Sequence, residues 1–345
     1  MWNGFVTVFS TVIVFCVLIF IHEFGHFMAA RLCGVGIKEF AIGMGPKLFS
    51  WKSKKYETVY GVRALPIGGF VSMVGEDEAS DEECAFCNKA IWKRMSIVLA
   101  GPVMNLLLGF LLMTVIVFSQ SVLASTVVAD FNEGSLSSEF LQVGDKIISV
   151  DGAPVFTGND AAYEIMNQGY EPIDIVVERN GRRIKFENVT FGSFTEDGVT
   201  FGDYDFKFLA EQKTFPNLLK HSFWRSVSTV KMVIDSVVAL ITGRYGLEAV
   251  SGPVGVAEVV GDAARGGIVN LLYIVTVLSI NLGIFNLIPF PALDGGRLLF
   301  LIIEAVRRKP LEKDVEGYIN LVGISILFGF MILVMGKDII KLLKR

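Results

Sequence analysis

Long apolar runs alternate along this chain with polar, turn-rich stretches. Four runs, Met1–Ile21, Met95–Ser119, Ile268–Phe290 and Tyr318–Met335, contain no Lys, Arg, Asp or Glu. A helix needs ~20 mostly apolar residues to cross a bilayer, and the last run is the shortest of the four. The pattern predicts a polytopic α-helical membrane protein with four transmembrane helices. The first run has no basic flank before Arg31 and exceeds the apolar core of a secretory leader, so it is read as a retained span.

The period changes between the second and third runs. In residues 121–192, "DKIISVDG" alternates apolar and polar positions and turns at Asp151-Gly152. "NDAAYEIMNQG" reads as a short helix ending at Gly169, and "IDIVVERNGRRIKFENV" as a hairpin turning at Asn180-Gly181. A small folded domain is expected here, followed by a linker within 193–267. Inside that stretch, 217–242 spaces Leu219, Phe223, Val227, Val230 and Ile234 at helical intervals, with Lys220, Ser228, Lys231 and Asp235 on another face. This predicts an amphipathic helix on the membrane surface; a packed soluble helix fits nearly as well. Between the first two runs, residues 37–74 alternate and carry turn residues, which predicts strands.

Composition agrees with the pattern. Of 345 residues 52% are hydrophobic and only 19% charged, and the mean hydropathy is +0.55; soluble chains carry roughly a quarter charged residues. The net charge of −4 comes with no basic stripe, so nucleic acid is not an expected partner. Four cysteines at this length do not form a secreted disulfide framework. Lys and Arg crowd the flanks reached after the first and third spans (Arg31, Lys38, Lys93, Arg94, Arg297, Arg307). That places this side in the cytoplasm, against the basic tail Lys337 to Arg345.

Chemistry concentrates where the first span ends. "HEFGH" is an H-E-x-x-H motif: on a helix His22 and His26 project side by side, while Glu23 points at a different angle. Two imidazoles at i and i+4 hold one metal, and a neighbouring carboxylate serves as base for a metal-activated water. Ionisable groups are costly in a membrane and mark function there. His221, the third histidine, follows the second span, on the opposite side from His26. Asp294 follows the third span, on the same side. Its setting, "NLIPFPALDGG", breaks the helix at Pro289 and Pro291 while still apolar. Taken alone, Asp294 reads as an Asp-Gly turn; beside H-E-x-x-H on the same side, it is favoured as the third ligand.

"HEFGH", "NLIPFPALDGG" and a small β-rich domain between them resemble the site-2 protease family over nearly the whole chain. Members are zinc metalloproteases that cleave transmembrane helices, in bacteria often those of anti-sigma factors. The resemblance implies Zn2+ held by His22, His26 and Asp294, with Glu23 as general base. It implies a role for Asn286 in binding substrate or steadying the oxyanion; capping exposed backbone at the helix break is the alternative. "LAGPVMNLLLGF", with Gly101, Asn105 and Gly109 on one face, is similar to a family segment beside the active site, which makes Asn105 a candidate there. "RALPIGGFV", with Gly68 and Gly69, is similar to a membrane-associated β-rich loop that meets the unwound substrate. "VGDKIISVDGAPV" resembles a PDZ domain, one copy inserted on the extracytoplasmic side, reading peptide C-termini or filtering by size.

The expected activity is intramembrane zinc-dependent peptide hydrolysis in the inner membrane, within or near transmembrane segments of membrane-protein substrates, of anti-sigma-factor or signal-peptide type. The lipid bilayer is the other partner, and oligomeric state leaves no mark in the sequence. A metal-ion transporter past His22, Glu23, His26 and Asp294, or a PDZ-type membrane scaffold, are the alternatives. Cys84 and Cys87 form one C-x-x-C, read as reduced thiols in an acidic loop, and the Asn188 sequon is read as without consequence.

Overall fold

The computed structural model describes residues 2–54, 57–76, 80–196 and 198–343. The chain divides into two units, Met1–Gly109 with Ser251–Arg345, and Phe110–Val250.

The first unit opens with helix α1 (Trp2–Leu32), followed by a two-stranded antiparallel hairpin, β1 (Ile37–Lys52) and β2 (Val59–Met73). Its base is apolar because it packs on α1: Ile37, Phe40, Val71 and Met73 are buried against Phe20, Phe24 and Phe27. Its far end is also apolar but exposed, through Met44, Leu48, Phe49, Trp51 and Leu65. Helix α2 (Ile91–Ser119) then runs from the first unit into the second.

In the second unit come β3 (Leu123–Phe131), β4 (Lys146–Val150), β5 (Ala153–Pro154), α3 (Gly158–Gln168), β6 (Ile173–Arg179) and β7 (Arg182–Val189). They are followed by β8 (Gly192–Glu196), β9 (Val199–Asp203), β10 (Phe206–Glu211) and α4 (Phe215–Ile241). The main sheet has the order β10-β3-β4-β6-β7, with β5 paired to β4, and every pairing is antiparallel. Thr157 and Asp160 close a capping box at the start of α3, which ends at Gly169 as expected. Asn180 and Gly181 both take positive φ, 52° and 74°, and make the two-residue turn between β6 and β7. Ile147, Ile165, Ile175, Val177 and Phe206 form its core. The stretch after residue 192, expected to be linker, carries three strands. Phe206 and Phe208 there alternate into the same core as β3, and that burial holds the segment in the sheet.

The chain returns to the first unit with α5 (Pro253–Arg265), α6 (Ile268–Leu287), α7 (Asp294–Arg307) and α8 (Lys313–Leu343). Four helices, over Gly4–Leu32, Ile91–Ser119, Ile268–Leu287 and Asp314–Lys341, are long and apolar enough to cross a membrane. The last is far longer than the apolar window, because Asp314 and Glu316 suit its first turn and Lys341 its last. Of the basic tail, Lys344 and Arg345 lie outside the described residues. The third stops at Leu287, before the expected Phe290. Pro289 has no N–H to give the helix, and Ile288 before it is extended, with ψ 134°.

Candidate metal centre

Three elements of the first unit deliver the site. His22, Glu23 and His26 lie on α1. Residues 288–293 then bring the chain round through Ala292, at φ 74°, so that Asp294 opens α7. The turn is tight enough to exclude side chains. A Cβ at Gly295 would collide with the carbonyl oxygens of Leu287 and Ile288, and one at Gly296 with that of Phe290.

The ligand atoms converge. His22 Nε2 and His26 Nε2 are 3.2 Å apart, and Asp294 Oδ2 lies 3.0 Å from the first and 3.3 Å from the second. Ligands ~2.0–2.1 Å from a tetrahedral zinc stand roughly 3.3 Å from one another, so this triangle has the right edge. Among the described residues it is the group of three His, Cys, Asp or Glu side chains close enough to share an ion. Asp294 Oδ2 is buried without a hydrogen-bond partner, as a carboxylate oxygen meant for a cation should be. His26 Nδ1 lies 2.8 Å from the Ile97 carbonyl, which can only accept; Nδ1 therefore carries the proton, and Nε2 of the neutral ring offers a lone pair. The residues present fit a zinc ion.

A cavity of about 290 Å³ opens on this triangle, lined also by Glu23, Asn286 and Arg297. Asn286 donates from Nδ2 to the Leu282 carbonyl, 3.0 Å away within α6. Gly69, on β2, passes beside Glu23: a Cβ there would stand 3.4 Å from Glu23 Cγ and 3.1 Å from the Ala41 carbonyl. Gly68, at φ 88°, abuts Met44 rather than the triangle. Asn105 is fully buried on α2, its amide nitrogen 3.1 Å from His22 Nδ1.

Some participants carry no motif. Gly101 lies against both imidazoles, and a Cβ there would overlap His26 Nε2 and come within 2.9 Å of His22 Nε2. In the sequence it stands out only as one of the small residues on the face of "LAGPVMNLLLGF" that also carries Asn105. Arg297, one turn after Asp294, forms an ion pair with Glu76 beyond β2. Arg94 holds Glu304 through two bonds of 2.5 and 3.0 Å, joining α2 to α7. Only the fold pairs these charges.

The remaining candidates lie elsewhere. His221 is buried on α4 with Nε2 2.8 Å from Glu211 Oε2, a satisfied internal pair. Burial pushes the Glu211 carboxyl up, but its hydrogen bonds from His221 and Lys220 outweigh this and leave it below the usual range. Cys84 and Cys87 are free and half-buried, with their thiols on Glu82 and the Ser80 carbonyl.

The model of peptidase family M50 matches residues 10–330. The chain belongs to this family, the site-2 proteases. It is 36% identical over 338 residues to a Clostridium acetobutylicum protein that carries a zinc metalloprotease name, covering 98% of both chains. It is 31% identical to zinc metalloprotease RasP of Geobacillus kaustophilus, over 97% of this chain and 98% of that one. To the regulator of sigma-W protease RasP of Bacillus subtilis it is 28% identical, over 97% and 99%. This M50 member is a zinc metalloendopeptidase and a multi-pass membrane protein.

Proposed function

We propose that this protease hydrolyses peptide bonds within or next to the spanning segments of membrane proteins. In this reading His22, His26 and Asp294 hold the zinc and Glu23 is the general base. The ligand triangle carries the proposal, because two of its members lie on α1, a helix long and apolar enough to cross a membrane, and because it opens on the cavity that Glu23 lines. Zinc held by these three residues would supply an acidified water and a Lewis acid for the scissile carbonyl. Glu23 accepts a proton at its carboxylate and returns it to the leaving amine. Asn286 presents an amide to the same cavity, suited to a developing negative charge. Gly69 lets β2 run directly beside Glu23, which brings a strand edge to the cavity where an extended substrate would pair.

Finer features follow. The site faces the cytoplasm, by the excess of Lys and Arg flanking that side, and the sheet domain is extracytoplasmic. The family resemblance, beside a Bacillus relative named as a regulator of sigma-W, favours an anti-sigma factor over a signal peptide as the substrate class. The domain is PDZ-like, and it filters by size rather than reading peptide ends. PDZ domains take a peptide as an added strand on a sheet edge beside a helix. Here β10 already pairs along β3, from Phe206 opposite Phe131 to Glu211 opposite Leu123, and Phe208 packs at the start of α3. Helix α4 lies on the membrane surface. It buries Ser222, Ser226 and Thr229 and turns Phe223, Val227, Ile234 and Ile241 outward.

The deciding experiment compares Glu23→Gln with wild type for zinc content and for cleavage of a model spanning peptide. Zinc kept with cleavage lost supports the reading; full cleavage by the variant overturns it.

A further inference from the structure

The Asn105 amide is fixed from both ends. Its backbone carbonyl accepts from Ser279 Oγ of α6 at 2.7 Å, and its side chain lies 3.1 Å from His22 Nδ1, both residues being fully buried except for the slightly exposed imidazole. The amide nitrogen faces the ring, 3.1 Å from Nδ1. That orientation makes Nδ1 the acceptor and puts the ring proton on Nε2, where it would point into the ligand triangle. It also leaves Asn105 Oδ1 buried with no partner. An unsatisfied buried acceptor costs about 1–3 kcal/mol. The two orientations of the carboxamide share one shape, so its hydrogen bonds decide between them.

We infer that Asn105 presents Oδ1, not Nδ2, to His22 Nδ1, and that it is the positioning residue that fixes the ring tautomer for metal binding. With the amide turned, Nδ1–H donates to Oδ1 and the Nε2 lone pair faces His26 Nε2 and Asp294 Oδ2. His26 is set the same way by the Ile97 carbonyl, 2.8 Å from its Nδ1. Both outer partners, Ile97 and Asn105, therefore come from α2, eight residues apart and on one side of the histidine pair. Gly101 sits midway between them, and its missing side chain lets α2 approach both rings. One helix thus carries the hydrogen-bond acceptors for two ligands on another. This inference rests on the zinc site proposed above.

The test uses full-length protein in detergent and two nearly isosteric variants. Asn105→Asp keeps an acceptor and removes the donor; Asn105→Leu removes both. Zinc affinity is read by chelator competition, and the tautomer by nitrogen NMR of 15N-histidine protein, which has only three histidines to resolve. Loss of an outer partner of a ligating histidine costs 10–100-fold in metal affinity. Asn105→Leu is expected to lose about that much, while Asn105→Asp binds at least as tightly as wild type and keeps the Nδ1–H signal of His22. Wild-type affinity in Asn105→Leu, or equal loss in both variants, overturns the inference. His26→Ala is the control. If it binds zinc like wild type, the ligand set itself is wrong; if it loses zinc while Asn105→Leu does not, only the role of Asn105 falls.

Discussion

The two units of this chain differ in what they turn outward. In the sheet domain Ile147, Ile165, Ile175 and Val177 are fully enclosed, as in any water-soluble core. In the helical unit Leu18, Ile97 and Ile280 are enclosed together with Asn105, Thr276 and Ser279, while Phe9, Leu321 and Leu333 face outward. The physics is the same with a different solvent. Water expels apolar surface; lipid does not, so helices in a bilayer associate through small residues and polar bridges. The proposed metal site, of two histidines, a glutamate and an aspartate, lies in the unit whose helices are bridged by enclosed polar groups.

The comparison can be broken at the site first. Glu23→Gln should reduce cleavage by about 10²–10⁴, the usual contribution of a general base, with zinc content unchanged by metal analysis. Asp294→Ala should lose zinc as well as cleavage. An equal zinc content in the two variants would remove Asp294 from the ligand set.

The next effect concerns stability. Ile147→Ala opens a hole in a water-facing core and should cost about 2–5 kcal/mol, read as faster hydrogen exchange in β4 and β6. Leu333→Ala, on an outward face of α8, should change the exchange of its helix hardly at all. Similar losses at both positions would undo the contrast between the units.

A smaller effect tests how the domain is used. A cystine engineered across the Ala124/Ala210 pair would lock β10 onto β3. Cleavage should stay within about twofold of wild type (a change well under 1 kcal/mol), and reductant should make no difference. A large loss that reductant restores would mean that substrates displace β10. A local effect is expected at the β6–β7 turn. Gly181→Ala, at φ 74°, should cost about 1–2 kcal/mol, the penalty of a left-handed backbone for a residue with a Cβ, seen as a modest drop in melting temperature.

Much of this was legible along the chain. The spans follow from runs without charge, α3 and the β6–β7 hairpin from their caps and turn residues, and His22, Glu23 and His26 from one short motif. Other features were not legible, for identifiable reasons. The first two strands after residue 192, β8 and β9, are short, with one or two apolar positions each, and the Asp197-Gly198 pair in the sequence is their main local mark. The pairing of Glu76 with Arg297 joins residues more than 200 positions apart. The apolar face of α4 was visible, but the choice of which face packs needed the hydrogen bonds of Ser228 to Asp160, 2.6 Å, and of Tyr163 to Asp235, 2.7 Å.

By itself the sequence determined the kind of solvent each segment meets and the chemistry the chain can perform, because hydropathy, helical period and the side chains of H-E-x-x-H are local properties. Only the tertiary structure decided that Asp294 Oδ2 reaches both Nε2 atoms, that Gly101 makes room for the two rings, and that Asn105 stands behind His22. Those depend on how α1, α2, α6 and α7 approach one another. A few tenths of an ångström at a glycine, or the turn of one amide, is enough to make or spoil a metal site.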